Sequence, residues 1–408
     1  MYYGKNYRQC SVSFNFVADR IVQDKAYPAL AQWSAEPYTA EWRQFVQHWP
    51  NTVPCELHEH CATHGYPYQL YHITDDFPKN SFYTIGLGFF NFDIDYFALL
   101  SSAVKTSIRD CRLRLLFYYH EGDNPYLIKQ RLDALCQDHA LSVDCYCFVS
   151  GNTAADNIKN FAWFPDHELL YWHRNRVQPP TPINTLPRKN QFTLLSRTHK
   201  WWRATVVADL HRNNLLQNSQ WSYNTNIEVA DRFEDNPIEI DVLNLREHVT
   251  TFVNNGPYRC DELSTEEHNN HSLVVPEHYA DSYCSIVLET HFDADASLGA
   301  FLTEKTFKCL KHGHPFVLVA PQNSLQKLRE LGYRTFDHAI DNSYDKIANN
   351  TQRWQAIKNT IQQLAKIDNM DRWFDQCRSD LQYNQALYTS NKYNHINDLY
   401  NKITNDSD

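Results

Sequence analysis

The sequence is short of glycine, with 10 among 408 residues. Glycine-rich phosphate loops are therefore not expected, because they need residues free to adopt positive φ and to let the backbone approach an anion. A surplus of positive charge is also missing. Lysine and arginine number 38 against 48 aspartates and glutamates, a formal charge of −10. That argues against a chain held to nucleic acid by bulk electrostatics, since phosphate contacts need clustered cations. It leaves room for a local basic cleft. No stretch approaches the ~18 apolar residues of a membrane span. The N-terminal MYYGKNYRQCSVSFNF has no basic segment leading into an apolar core. The expectation is a chain without a signal peptide, in the cytoplasm, the cytoplasm of an infected host included. The 11 cysteines are then expected as thiols.

What is present suits two domains. The length exceeds one ordinary domain, and 42% hydrophobic and 14% aromatic residues supply the cores. Residues 1–105 carry weak signals: apolar spacing around Ala29–Trp33, helix over Glu41–His48 and an amphipathic helix over DIDYFALLSSAVK, 93–105. Beyond them the pattern is clear. RLRLLFYYHEGD (112–123) reads as a strand with a polar end. NPYLIKQRLDALCQDH (124–139) reads as a helix with Asn124 as cap and Pro125 at its first position. VDCYCFVSGN (143–152) is a second strand, and FAWFPDHELLYW (161–172) a third, interrupted by Pro165. Strand, helix, strand at this spacing predicts a parallel α/β unit.

VQPPTPINTLPRKN (177–190), with four prolines, reads as a linker. The pattern then restarts: strand 191–197, helix 201–216, strand 282–290, helix 304–313, strand 315–320. A helix over 323–332 follows, with Asn323 as cap and Gly332 as stop, then a short RTFD strand, a helix over 346–367 and more helix over 370–400. The expected architecture is α/β, two facing Rossmann-like domains over 1–176 and 191–367, with a helical tail over 368–408. Ligands in such sheets bind at the carboxyl ends of the strands.

Several constellations could carry chemistry there. Thr303 is a plausible cap for a helix opening on Glu304, Lys305 and Thr306. Glu304 suits the helix dipole; Lys305 opposes it unless an anion is bound. In SRTHKWWR (196–203), Arg197, His199, Lys200 and Arg203 crowd a strand-to-helix turn with no acid among them, so the choice is a solvated basic turn or an anion site. Two such turns in one half-chain favour a shared diphosphate. Glu289, ending SIVLET, is a candidate for sugar or ribose hydroxyls, or for a helix cap or ion pair. His120 and Glu121, in YYHEGD (118–123), could supply a general base, or form a polar strand end. CELHEHCATH (55–64) gathers Cys55, His58, His60, Cys61 and His64, metal-ligand chemistry at unusual spacing, with a polar loop as the alternative. The Asp-x-Asp of NFDIDYF (91–97) is the kind that holds a divalent metal on a nucleotide sugar, or simply opens a helix.

The second half resembles the donor domain of GT-B glycosyltransferases. Its Thr-Glu-Lys element is similar to that of α-1,3-fucosyltransferases. TEKTFKCLKHGHPFVLVAPQNSLQKLRELGYRTFDHAIDNSYD (303–345) also looks like a group of glycosyltransferase-like proteins of tailed phages and marine bacteria. The resemblance covers about 190–365 and leaves the first half unassigned. His312 and His314, around Gly313, depart from the small or basic residues more usual in that group. The resemblance implies that Glu304 and Lys305 contact ribose or phosphate, that Arg203 contacts the diphosphate, and that Glu289 approaches the sugar. It implies a nucleotide-sugar co-substrate, UDP- or GDP-linked, no bound catalytic metal and no other cofactor. The acceptor is a hydroxymethylated DNA base, or a surface glycan, protein or small molecule. A sugar-nucleotide-binding protein without turnover is the alternative from another class.

Overall fold

The computed structural model describes residues 13–18, 20–21, 52–53, 61, 67–87, 90–119, 121–165, 168, 180–183, 186–225, 233–260, 274–293, 299–390 and 394–405. Two compact units divide the chain: Met1–Phe164 with Tyr393–Asp408, and Pro165–Lys392. The division thus falls just before Pro165 rather than at 177–190, and the last helix counts with the first unit. Among the described residues no helix is long and apolar enough to cross a membrane.

The first unit is built on strands β1 (Phe14–Ala18), β4 (Tyr68–His72), β5 (Ser81–Leu87), β6 (Leu113–Tyr119), β7 (Tyr146–Ser150) and β8 (Phe161–Trp163), with β2 (Arg20–Ile21) and β3 (Thr52–Val53) as a separate pair. The six lie in the order β4-β1-β5-β6-β7-β8, and every pairing is parallel. A parallel strand covered on both faces needs a continuous apolar run, and LLFYY of β6, Leu115–Tyr119, supplies one. Helix α1 (Ser102–Arg109) links β5 to β6, and α2 (Pro125–Asp138) links β6 to β7. The Asn124 side chain caps α2 by accepting from the Tyr126 N–H, with Pro125 at the first position, as expected.

Two expectations for this unit are corrected. The segment 93–105 is not one helix. Asn91 and Asp95 side chains accept the N–H groups of Asp93 and Ala98, at 2.8 and 2.9 Å, and these local bonds hold turns up to Leu100. The Asp-x-Asp therefore does not open a helix, and Asp95 instead faces His139 at 2.9 Å. The third strand stops at Trp163, with Pro165, which has no N–H for a ladder, two residues on.

The second unit carries β9 (Asn190–Ser196), β10 (Ser219–Tyr223), β11 (Ser282–Leu288) and β12 (Phe316–Val319), parallel and in the order β10-β9-β11-β12. Its helices are α3 (Trp201–Arg212), α4 (Arg246–Asn254), α5 (Pro276–Ala280), α6 (Glu304–Lys311), α7 (Ser324–Glu330), α8 (Asn350–Ala365) and α9 (Met370–Ser390). Gly332 follows α7 at φ +89°, the left-handed stop expected of it. Asn323 holds the cap position it was expected to hold, but its side chain does no capping. It sits at φ +64° and makes no side-chain cap bond; the buried Asp345 carboxylate accepts from the Leu325 and Gln326 N–H groups, both at 2.9 Å. RTFD forms no strand either, because the Asn384 side chain takes up both the N–H and the carbonyl of Arg334, each at 2.9 Å.

Helix α10 (Asn394–Asn405) returns to the first unit. It buries Ile396, Leu399 and Ile403. Tyr400 meets Phe14 edge-on, and the Arg114 guanidinium donates to the Ile403 carbonyl at 2.6 Å.

Candidate functional site

In the second unit the chain leaves β9 for β10 on one side and returns to β11 on the other. The carboxyl ends of β9 and β11 therefore flank the point where strand order reverses, where open α/β sheets place their ligands. The sequence puts its two charged turns at these ends: 197–203 after β9, and 289–292, answered by the start of α6, after β11.

Glu289 organises the place. Its side chain is fully buried. One carboxylate oxygen accepts the Thr303 N–H at 3.1 Å and the Thr306 hydroxyl at 2.5 Å; the other accepts the Thr303 hydroxyl at 2.5 Å and the Thr290 N–H at 3.2 Å. In this structure Glu289 braces the start of α6 from below. Thr303 in turn caps α6, accepting from the Lys305 N–H at 3.5 Å. Thr306 is thus engaged below the helix start.

Glu304 and Lys305 lie above this brace. The Lys305 ammonium donates to Glu304 at 3.1 Å, to the Thr303 hydroxyl at 3.1 Å and to the Thr290 hydroxyl at 3.3 Å, and its side chain remains 31% exposed. It is held over the junction of both loops yet open to solvent. On the β9 side, Lys200 donates to the Thr290 carbonyl at 2.9 Å. Arg203 is buried; its guanidinium donates twice to the Glu289 carbonyl, at 2.5 and 3.1 Å, and once to the Thr198 carbonyl at 3.1 Å. A cation in a first helical turn opposes the dipole, and these carbonyls offset that cost. Lys200 is the cap residue of α3 but gives it no side-chain cap bond. Arg197 is exposed at the strand end.

Lys308 was not singled out in the sequence. One turn beyond Glu304 on α6, it is half-buried, and burial lowers its ammonium to about 8, with Lys305 and Arg197 adding repulsion and Glu304 opposing it. The signal was available: residues four apart on a helix share a face, so Glu304 implied Lys308. The structure therefore brings Lys305 and Lys308 to one carboxylate, Glu304, with Arg197 near Lys308, Lys200 on the Thr290 carbonyl, and Arg203 and Glu289 beneath.

In the first unit, β1 and β5 flank the corresponding reversal. Glu121 stands just after β6, the next strand, half-buried in a bend; its carbonyl accepts the Gly151 N–H at 3.1 Å, and the Asn152 side chain holds the Gly122 carbonyl at 2.9 Å. Tyr119 donates to Asp123 at 2.5 Å, and burial with that carboxylate beside it pushes the phenol far up. His120 lies outside the described residues, as do Cys55, His58, His60 and His64. Cys61 is described, and is buried. Among the described residues no group of three or more His, Cys, Asp or Glu side chains is placed to hold a metal. No protein-family model matches this chain, and no curated protein matches it.

Proposed function

We propose that the chain is a nucleotide-sugar-dependent glycosyltransferase, with its donor site at the carboxyl ends of β9 and β11. The observation that supports this best is the cationic rim at the strand-order reversal of the second sheet, with one largely buried carboxylate, Glu304, paired to Lys305 among the cations. Transfer of a sugar from a nucleotide sugar builds negative charge on the departing diphosphate. Lys305, Arg197, Lys200 and Lys308, with the first amides of α3 and α6, stabilise such charge. Glu304 is the acceptor for a ribose or sugar hydroxyl. The reading includes the GT-B arrangement, with the first unit on the acceptor side and Glu121, or His120, as the base that takes the acceptor proton. A UDP- or GDP-linked donor and a hydroxymethylated DNA base as acceptor belong to it. A glycan, protein or small-molecule acceptor is the variant that suits the net charge better.

A second reading is favoured by one observation: Lys200 and Arg203 spend their donors on backbone carbonyls. A site so committed could hold a sugar nucleotide without turning it over. The experiment is a thermal-shift panel of UDP-, GDP-, CMP- and dTDP-sugars on the full chain and on Lys305→Ala, followed by assay of nucleoside diphosphate release with each acceptor class. Stabilisation by one donor, lost in the variant, with release on adding an acceptor, is the expected result. Stabilisation without release selects the second reading. A chain that no donor stabilises refutes both.

A further inference from the structure

The amino-terminal edge of the six-stranded sheet carries a cavity of about 520 Å³, within the range of small-molecule sites. It lies at the opposite end of the strands from Glu121, between the turn joining α1 to β6 and the segment leading into β7. Four cations line it, Arg109, Arg112, Arg114 and Lys159, against a single carboxylate, Asp144. In a chain whose net charge is −10, such a wall is a local inversion of sign. Ile108, Leu113 and Leu141 add an apolar part to the same wall.

The cations are held in different ways. Arg114 is fixed by donating to the Asp144, Tyr146 and Ile403 carbonyls at 3.2, 3.2 and 2.6 Å. Arg112 lies over the Phe77 ring and reaches the fully exposed Asp76 at 3.3 Å. Lys159 pairs with Asp144 at 2.7 Å, and this contact, with Arg114 further off, holds the Asp144 carboxyl below its usual range. Arg109 ends α1 and is exposed. One guanidinium fixed by three carbonyls, two cations paired only with solvent-exposed carboxylates and the exposed Arg109, beside an apolar wall, suit a doubly charged anion attached to a carbon body.

We infer that this cavity binds a small phosphate monoester, with the phosphate among Arg109, Arg112, Arg114 and Lys159 and the carbon body against Ile108, Leu113 and Leu141. The inference is independent of the glycosyltransferase reading, since it uses the opposite end of the first sheet from Glu121 and none of the same residues.

Cys111, an exposed thiol in the same wall, gives the readout. The full chain is alkylated with iodoacetamide, an uncharged reagent, and modification of the Cys111 peptide is followed by mass spectrometry. Phenyl phosphate, inorganic phosphate and sodium chloride are compared at matched ionic strength. Phenyl phosphate is expected to protect Cys111 saturably, at a concentration about ten-fold below that needed with inorganic phosphate, and chloride not at all. In Arg109→Ala and Lys159→Ala, exposed positions with little weight in folding, half-protection should move up by about ten-fold. Equal protection by both phosphates would remove the carbon body from the assignment. Unchanged labelling at all concentrations, or protection indifferent to both variants, would overturn the site.

Discussion

Replacing Glu289 by Gln tests whether the brace under α6 is structural. The substitution keeps the shape but turns one acceptor oxygen into an NH₂ group. Glu289 receives four donors, two on each oxygen. Whichever way the amide settles, two donors meet a donor. Bonds to a charged acceptor contribute about 1.5–3 kcal/mol each, and a buried donor left unmade costs about 1–3 kcal/mol. The two hydroxyls can rotate away, while the Thr303 and Thr290 N–H groups cannot, so the net loss is about 2–4 kcal/mol. For a unit of this size each kcal/mol lowers Tm by about 2–4 °C. Calorimetry of the full chain should therefore show the transition of the second unit lowered by roughly 5–15 °C. Glu304→Gln is the control. Its side chain is largely buried, but an amide there still accepts from the partly exposed Lys305, so its transition should fall by less than that of Glu289→Gln. An unchanged transition in Glu289→Gln would refute the brace, and would return Glu289 to the candidates for direct ligand contact.

Other consequences are equally open to measurement. Burial lowers His312 and His314 to about 3 from 6.5. A histidine depressed in the folded state contributes stability that is present above 6.5 and lost as pH falls through 6.5 toward 3. Acidification from pH 7 to 5 should then cost on the order of 2 kcal/mol per histidine; urea titrations should show it, and His314→Gln should flatten the slope. Gly313→Ala should destabilise by about 2 kcal/mol or more, because φ is +58° and a Cβ would stand 2.6 Å from Gln385 and 2.7 Å from Ile183; chemical denaturation measures it. Lys305→Ala should leave the midpoint within about 1 kcal/mol of the parent while abolishing any nucleotide-sugar response in the thermal-shift assay.

The sequence disclosed elements whose causes are local. Asn124 and Pro125 announce α2, Thr303 announces α6, and Gly332 ends α7, because caps and stops act within a turn of the residue that makes them. Elements with distant causes stayed hidden. Strand β10, SQWSY, is an edge strand and only half-buried, so it shows little apolar run. The start of α7 is capped by Asp345, 20 residues on from Leu325, which no local window contains. RTFD has the composition of a strand, yet its backbone is satisfied by Asn384, 50 residues beyond Arg334. At the candidate site, the residue types and their gathering after β9 and β11 were legible, because parallel α/β units bring strand ends together. That Arg203 turns to carbonyls and Glu289 to threonines was not, since both partners lie across a loop whose path only the fold sets.

That loop after β11 is held by three cations on three of its carbonyls: Arg203 on Glu289, Lys200 on Thr290, and the buried Arg353 on Phe292. Its amides are committed as well, the Glu289 N–H to the Val319 carbonyl and the Thr290 N–H to the Glu289 carboxylate. Such a segment cannot open alone; its hydrogen exchange should follow the opening of the whole sheet. A bound ligand would then leave no protection footprint at Glu289 or Thr290, which are already as slow as the unit allows. The footprint of any molecule at this end of the sheet would be written in the first turn of α3, which no side chain caps.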